Sequence, residues 1–306
     1  MKSIEKLSAR RVAAALCGLI VLTTGCSSAL TVSAAEVNNK RISRDELELT
    51  LTELSDAGQT PIVDGEVKGD TARSVLTALV QGQATLQLLD IYGQSITDAD
   101  RDAVRSSLGQ NTEMSEFTDH LKNLIVELNA GTIALKRITA PDAKKAAEMY
   151  ERAPASLGVM CARHIVVKTL DEANNLLGKV GTTSEDFATL AGKFSIEPNA
   201  KQSGGALAGT DNACMRLSEY QTSFDADFTA GALQAKPGIA SGPVKSSFGY
   251  HIIYVRPFVE VAADISTLLV TDTGELLLTG YIATSKINID SAYGRWNAAS
   301  GSIIAN

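Results

Sequence analysis

Little in this chain is basic, aromatic or long and apolar. Its 306 residues carry 28 Lys and Arg against 35 Asp and Glu, a formal charge of −7. A protein that binds nucleic acid needs a basic face to meet phosphates, and this balance argues against that class. Aromatics make up only 5%, with a single tryptophan, Trp296. Histidines number three and cysteines four, so chemistry that depends on either has few places to sit. The apolar run near the start, Val12 to Leu22, is shorter than the roughly 20 residues a membrane-crossing helix needs. No internal repeat or low-complexity segment is visible, and the length suits about two domains.

What is present begins at the N-terminus. Lys2, Lys6, Arg10 and Arg11 flank the apolar run, which ends in Leu22-Thr-Thr-Gly-Cys26-Ser-Ser. This arrangement resembles a bacterial lipoprotein signal, residues 1–26, with Gly25 in place and Thr23 where Leu is usual. It implies that Cys26 becomes the lipidated first residue and that the chain works outside the cytoplasm, held to the membrane by acyl chains. An ordinary secretory leader is the alternative. Residues 27–35 are small and polar and read as a tether. With Cys17 in the leader and Cys26 lipidated, Cys161 and Cys214 remain in an oxidising compartment. A disulfide between them is the natural reading, with two free thiols as the alternative.

Residues 36–153 read as a run of amphipathic helices after a short hairpin. Asn38-Asn39 supplies the turn, and Ser43 with Glu46 makes a capping box for a helix faced by Leu47, Leu51 and Leu54. Further helices are expected over 71–92, ended by Gly93, and over 97–108, capped by Thr97. The next run over 114–128, and the last starts at Pro141. His120 lies among polar neighbours and reads as a solvated helix residue. Ala153-Pro-Ala-Ser-Leu-Gly158 reads as a linker. After Pro257, Leu276, Leu277 and Leu278 fit strand or helix, and 287–290 fits a strand. The hairpin at 36–42 needs a partner strand, so 259–306 is expected to complete the helical domain.

The chain is organised around 161–257. His164 is followed by Ile165, Val166 and Val167, and His251 by Ile252, Ile253, Tyr254 and Val255. Such β-branched runs read as buried strands. Two histidines entering two strands point to neighbouring strands that bring both imidazoles together. Between them lie helices at 171–180 and 184–193, a Gly-rich loop at 203–209 and an irregular stretch to Ser223. A short helix near 224–231 and a turn at Lys236-Pro-Gly238 precede the last two strands.

In combination, four motifs in this stretch resemble a parvulin-type peptidyl-prolyl isomerase domain, 159–257. They are Ala162-Arg-His-Ile165, Phe187 to Ser195, Gly204-Gly-Ala-Leu207, and Gly242-Pro-Val244 through Phe248-Gly-Tyr-His-Ile-Ile253. The layout of signal, helical domain, parvulin domain and tail is similar to PrsA/SurA-type extracytoplasmic foldases. The resemblance implies an α+β chain: a small antiparallel-type sheet with surrounding helices, following an all-helical SurA-N-like chaperone domain. It implies facing catalytic-site histidines at His164 and His251, a polar partner at Glu197, and a proline pocket lined by Met215, Phe228, Leu207 and Leu233. No cofactor or metal is implied. A Cys2His2 zinc site from Cys161, Cys214 and the two histidines is rejected, because zinc ligands usually come in close-spaced pairs. A Cys161 thiol activated by His164 fails because strand residues three apart face opposite sides.

The implied partners are unfolded exported polypeptides containing X-Pro bonds, with the membrane reached through the lipid. The turn continues Ala206-Leu207-Ala208 where the family has Asp-Leu-Gly. That departure motivates the competing reading of a holdase without turnover. A surface lipoprotein that binds one folded partner is the third reading.

Overall fold

A computed structural model describes residues 32–63, 66–109, 112–181, 183–207 and 213–306. The signal, Cys26, residues 27–31 of the tether, and Ala208 and Gly209 lie outside the described residues. Among the described residues, no helix is long and apolar enough to cross a membrane.

The first elements follow local signals. Strands β1 (Ser33–Val37) and β2 (Lys40–Ser43) pair antiparallel around Asn38 and Asn39, both with positive φ. That is the backbone a two-residue hairpin turn demands, and Asn tolerates it. β1 takes in the end of the expected tether, and Ala34 and Ala35 are buried. Ser43 accepts the Glu46 N–H at 3.1 Å and starts α1 (Arg44–Asp56). The Glu46 carboxylate is turned toward His120 and leaves the expected capping box half made. A two-residue ladder, β3 (Ile62–Val63) with β4 (Glu66–Val67), leads into α2 (Gly69–Ile91). The 71–92 expectation thus begins two residues late. Gly93, at φ +63°, ends α2, and Gln94 N–H reaches back to the Leu89 carbonyl. Leu76, Leu79, Val80, Leu88 and Leu89 face the core, whereas Leu86 and Ile91 are exposed.

Thr97 and Asp100 close a full capping box on α3 (Asp98–Leu108). The expected 114–128 helix is two elements: a 3-10 turn at Thr112–Glu116, then α4 (Asp119–Leu135). Thr118 accepts the Leu121 N–H at 3.1 Å, and this cap fixes the true start. In the same way α5 (Ala143–Arg152) starts at Asp142, which accepts the Lys145 N–H, rather than at Pro141.

His120 is half-exposed, and it is also held by two carboxylates that its sequence neighbours do not reveal. Its Nδ1 lies 2.6 Å from Glu53 Oε2 and its Nε2 3.3 Å from Glu46 Oε1, so it ties α4 to two separate turns of α1. Burial opposes its charge, but the hydrogen bonds and charges of Glu53 and Glu46 together outweigh that and raise its pKa. A raised folded pKa gives stability that is fully present below the unfolded value of about 6.5 and fades as pH rises through the folded value. His120→Gln should therefore lower Tm most near pH 6, and the gap to wild type should shrink by pH 9. Thermal melts at the two pH values test this; an equal gap at both would mean that charge plays no part.

The expected linker is a buried joint. Pro154–Leu157 forms a 3-10 turn with all four residues buried, followed by Gly158 at φ +70°. Beyond it lie β5 (Val159–Met160), β6 (Ala162–Val167), α6 (Leu170–Leu177), α7 (Ser184–Phe194) and α8 (Ala200–Ser203). The stretch expected to be irregular to Ser223 contains β7 (Met215–Arg216) and α9 (Leu217–Ser223), anchored by buried Leu217 and Tyr220. Then come α10 (Ala226–Gln234), β8 (Ala240–Ser246) and β9 (Gly249–Val255). The antiparallel sheet has the order β6-β9-β8. Strand alternation splits its apolar residues. Ile165, Val167, Ile252 and Tyr254 pack with Phe187 and Ala191 of α7. Ala162, Ile253 and Val255 pack instead with Phe228 and Ala232 of α10.

β7 pairs with β5, and beside that pair Cys161 and Cys214 form a disulfide across a sequence separation of 53. By the chain-entropy argument a loop of that length contributes roughly 4 kcal/mol.

The chain ends with α11 (Phe258–Leu269), α12 (Thr273–Thr284), β10 (Ile287–Ile289), β11 (Arg295–Asn297) and β12 (Ser302–Ile304). Leu276 and Leu277, ambiguous in sequence, are buried in α12. β10 pairs with β1 on the side away from β2. Ile282, Ile303 and half-buried Trp296 join the apolar cluster of Leu47, Leu76 and Val80.

Candidate active site

β6 and β9 are neighbours, in the register Val166 opposite His251 and His164 opposite Ile253. The two histidines therefore sit diagonally on one face. Their rings stack with centroids 5.4 Å apart and an interplanar angle of 20°, and the two Nδ1 atoms are 3.2 Å apart. Both side chains are buried.

A hydrogen-bonded chain runs through them. Glu197 Oε2 lies 2.6 Å from His164 Nε2, and Ser246 Oγ lies 2.6 Å from His251 Nε2. The Phe248 N–H donates to the same Ser246 Oγ at 3.0 Å. The His164 hydrogen bond holds the Glu197 carboxyl below its usual range, against the opposing effect of burial. Burial, with the positive potential of His164 second, pushes His251 down to about 4. An ionised Glu197 can only accept, so His164 carries its hydrogen on Nε2. With both rings neutral, one polarity follows: Ser246 O–H donates to His251 Nε2, and His251 Nδ1–H donates to His164 Nδ1.

Phe228 forms the apolar side of this site. It is 2% exposed on α10, its ring edge-on to His164 at 5.4 Å and tilted against His251 at 5.0 Å. His164, His251, Glu197 and Phe228 are thus brought together. Met215 on β7, Leu207 after α8 and Leu233 on α10 are half-buried and border the same apolar cluster, outside the hydrogen-bonded chain. The backbone closes the floor: Gly204 and Gly205 take positive φ, and His164 N–H donates to the Gly205 carbonyl at 2.8 Å. A Cβ on Gly205 would lie 2.2 Å from the His164 carbonyl oxygen, so glycine is required there. Cys161 and Cys214 are spent on the disulfide, which leaves neither thiol for a nucleophile or for zinc.

Two neighbours escaped the sequence reading. Phe224, half-buried in the extended break between α9 and α10, stands 5.6 Å ring to ring from Phe228. Ser246 pairs across the hairpin with Gly249, a register that no composition rule announces.

Chemically, the site offers an aromatic wall in Phe228 and two buried imidazoles held by fixed partners, Glu197 on one side and the Ser246 hydroxyl on the other.

Residues 166–257 match the family described as Rotamase, PPIC-type PPIASE domain. A Foldase protein PrsA from Clostridium kluyveri is 50% identical over 91 residues, 29% of this chain and 24% of that protein. A Foldase protein PrsA from Clostridium botulinum strain Hall is 25% identical over 291 residues, 81% of this chain and 84% of that protein. Among solved structures, PrsA from Bacillus subtilis is 20% identical and covers 85% of this chain and 95% of its own, with a TM-score of 0.29. The matched stretch spans about a quarter of the length of the C. kluyveri relative.

Proposed function

We propose that this chain, which carries a PPIC-type isomerase domain over 166–257, is a peptidyl-prolyl cis/trans isomerase and foldase for exported polypeptides. The observation that carries the reading is Phe228 packed against two stacked, buried histidines inside that domain. Rotation about an X-Pro bond meets a barrier of about 18–20 kcal/mol, because resonance gives the C–N bond double-bond character. A catalyst must hold the twisted amide, in which that resonance is lost, better than the planar one. Phe228, with Phe224, Leu207, Met215 and Leu233 around the same core, would seat the proline ring away from water. The His251–His164–Glu197 chain keeps the floor rigid, with its negative charge held on Glu197 at the end away from His251.

Cys26 carries the lipid, so the protein works outside the cytoplasm at the membrane face. Residues 36–153, completed by 259–306, hold unfolded clients. The pairing of β1 with β10 and the cluster joining Leu47 to Ile303 support that division. A holdase without turnover has less support, since the turn after Gly205 closes on β6 with Ala206 opposite Arg163.

The test is cis/trans isomerisation of a prolyl tetrapeptide panel by the full chain in detergent, alongside fatty-acid labelling of Cys26. Acceleration above the spontaneous rate and a label lost in Cys26→Ser are expected. A folded chain that leaves the rate unchanged would overturn the enzyme, and an unlabelled chain would overturn the anchor.

A further inference from the structure

The proline wall and the imidazole floor are built on different elements, and something must fix the gap between them. We propose that Asp225 is the positioning residue that sets this gap, with one carboxylate oxygen on each half. Oδ1 accepts the N–H groups of Asp227 at 2.9 Å and Phe228 at 3.4 Å, capping the helix that carries the wall. Oδ2 accepts Ser247 N–H at 3.3 Å and Ser247 O–H at 3.1 Å. Ser247 lies in the β8–β9 turn beside Ser246, whose Oγ bonds His251. A continuous path of covalent and hydrogen bonds thus joins Phe228 to His251 through one side chain.

A second fixed point lies further along the same helix. Gly231 rests so close to Val244 of β8 that a Cβ there would come within 2.5 Å of Val244 Cγ2. With the middle of α10 seated on β8, freeing its N-terminal end leaves a tilt as the available motion. Phe228 sits in that first turn, so a tilt changes its 5.0 Å spacing from the His251 ring. Asp225 is half-buried. Burial opposes its charge, but the donors from Ser247, Asp227 and Phe228 outweigh that and lower its pKa, so the clamp is ionised at neutral pH. It acts through Phe228 and His251, not on the substrate.

The activity readout rests on the isomerase reading; a spectroscopic one does not. Ser is a good helix N-cap but offers one oxygen on its side chain. Asp225→Ser should therefore keep the helix start while releasing the hairpin. In the full chain, Asp225→Ser is expected to keep the wild-type Tm within about 2 °C. Its kcat/KM should fall about tenfold or more through misplacement of the wall. Ser247→Ala should fall less, since the Ser247 N–H remains. The double variant should be no worse than Asp225→Ser, because both changes cut one link. The NMR shifts of the His251 ring protons, set by the Phe228 ring current, should move in the same variants. Asp225→Ser with wild-type kcat/KM and unmoved His251 shifts would overturn the clamp. If the wild-type chain itself fails to isomerise, the function reading falls alone, and unmoved shifts in Asp225→Ser would still overturn the clamp.

Discussion

Phe228→Ala is expected to lower kcat/KM for a prolyl tetrapeptide by about a hundredfold, a loss of about 2.7 kcal/mol of transition-state stabilisation. The ring is the only described aromatic against both imidazoles, and its removal opens the dry side of the site to water. The same ring is part of a buried cluster, so stability falls as well, by about 3–5 kcal/mol for a Phe to Ala change in a core. The two effects separate by temperature and by a second variant. Assays well below the lowered Tm report turnover by folded protein. Phe228→Leu retains an apolar wall at a cost under about 1.5 kcal/mol, and should keep most of the rate. A folded Phe228→Ala protein with wild-type kcat/KM would place the proline pocket elsewhere.

Gly158→Ala should be the most damaging alanine substitution among the described glycines. Gly158 has φ +70°, where an L side chain is strained, and a Cβ would lie 1.8 Å from the Leu276 carbonyl oxygen and 2.4 Å from its carbon. Those atoms are helix backbone and cannot swing aside. The same contact is close from the other direction: a Cβ on Gly280 would come 2.5 Å from the Gly158 nitrogen and the Ala155 oxygen. The turn at 154–158 and α12 therefore meet backbone to backbone, and a methyl forces them apart. Losses above about 4–5 kcal/mol are exceptional for point changes, and this one has the geometry for it. A fall in Tm of roughly 10 °C or more is expected. Gly178→Ala, whose Cβ would find nothing nearer than 3.7 Å, is the control and should be nearly neutral. Similar melts for the two variants would mean that the joint yields easily.

The joint also shows where reading by sequence stops. Ala153-Pro-Ala-Ser-Leu-Gly158 has the composition of a linker, and its burial comes from a helix more than a hundred residues later. His120 has polar neighbours in sequence, but its partners are on another helix, with separations of 67 and 74. Signals that act locally were legible: Asn38-Asn39 as a turn, Thr97 as a cap, the β-branched runs after each histidine. The histidine pair was legible because strand period and strand pairing together leave few arrangements. Glu197 and Phe228 reach the histidines in the structure, and only the motif resemblance pointed to them in advance. Ser246 and the start of α4 were not read, since the hairpin register follows from the whole bulged β8–β9 ladder and the start of α4 turns on one competing cap.

The pairing of β1 with β10 has a consequence in time. Asn38 hydrogen-bonds Ser285 across a separation of 247 residues, and β1 has no second neighbour until β10 exists. At about 5–20 residues per second, a ribosome takes roughly 12–50 seconds to make that interval. Throughout it, one edge of β1 stands open to stray pairing. The sheet β6-β9-β8, which holds both histidines, draws all its strands from one contiguous stretch and can pair meanwhile, so the sheet begun later should be the first one finished.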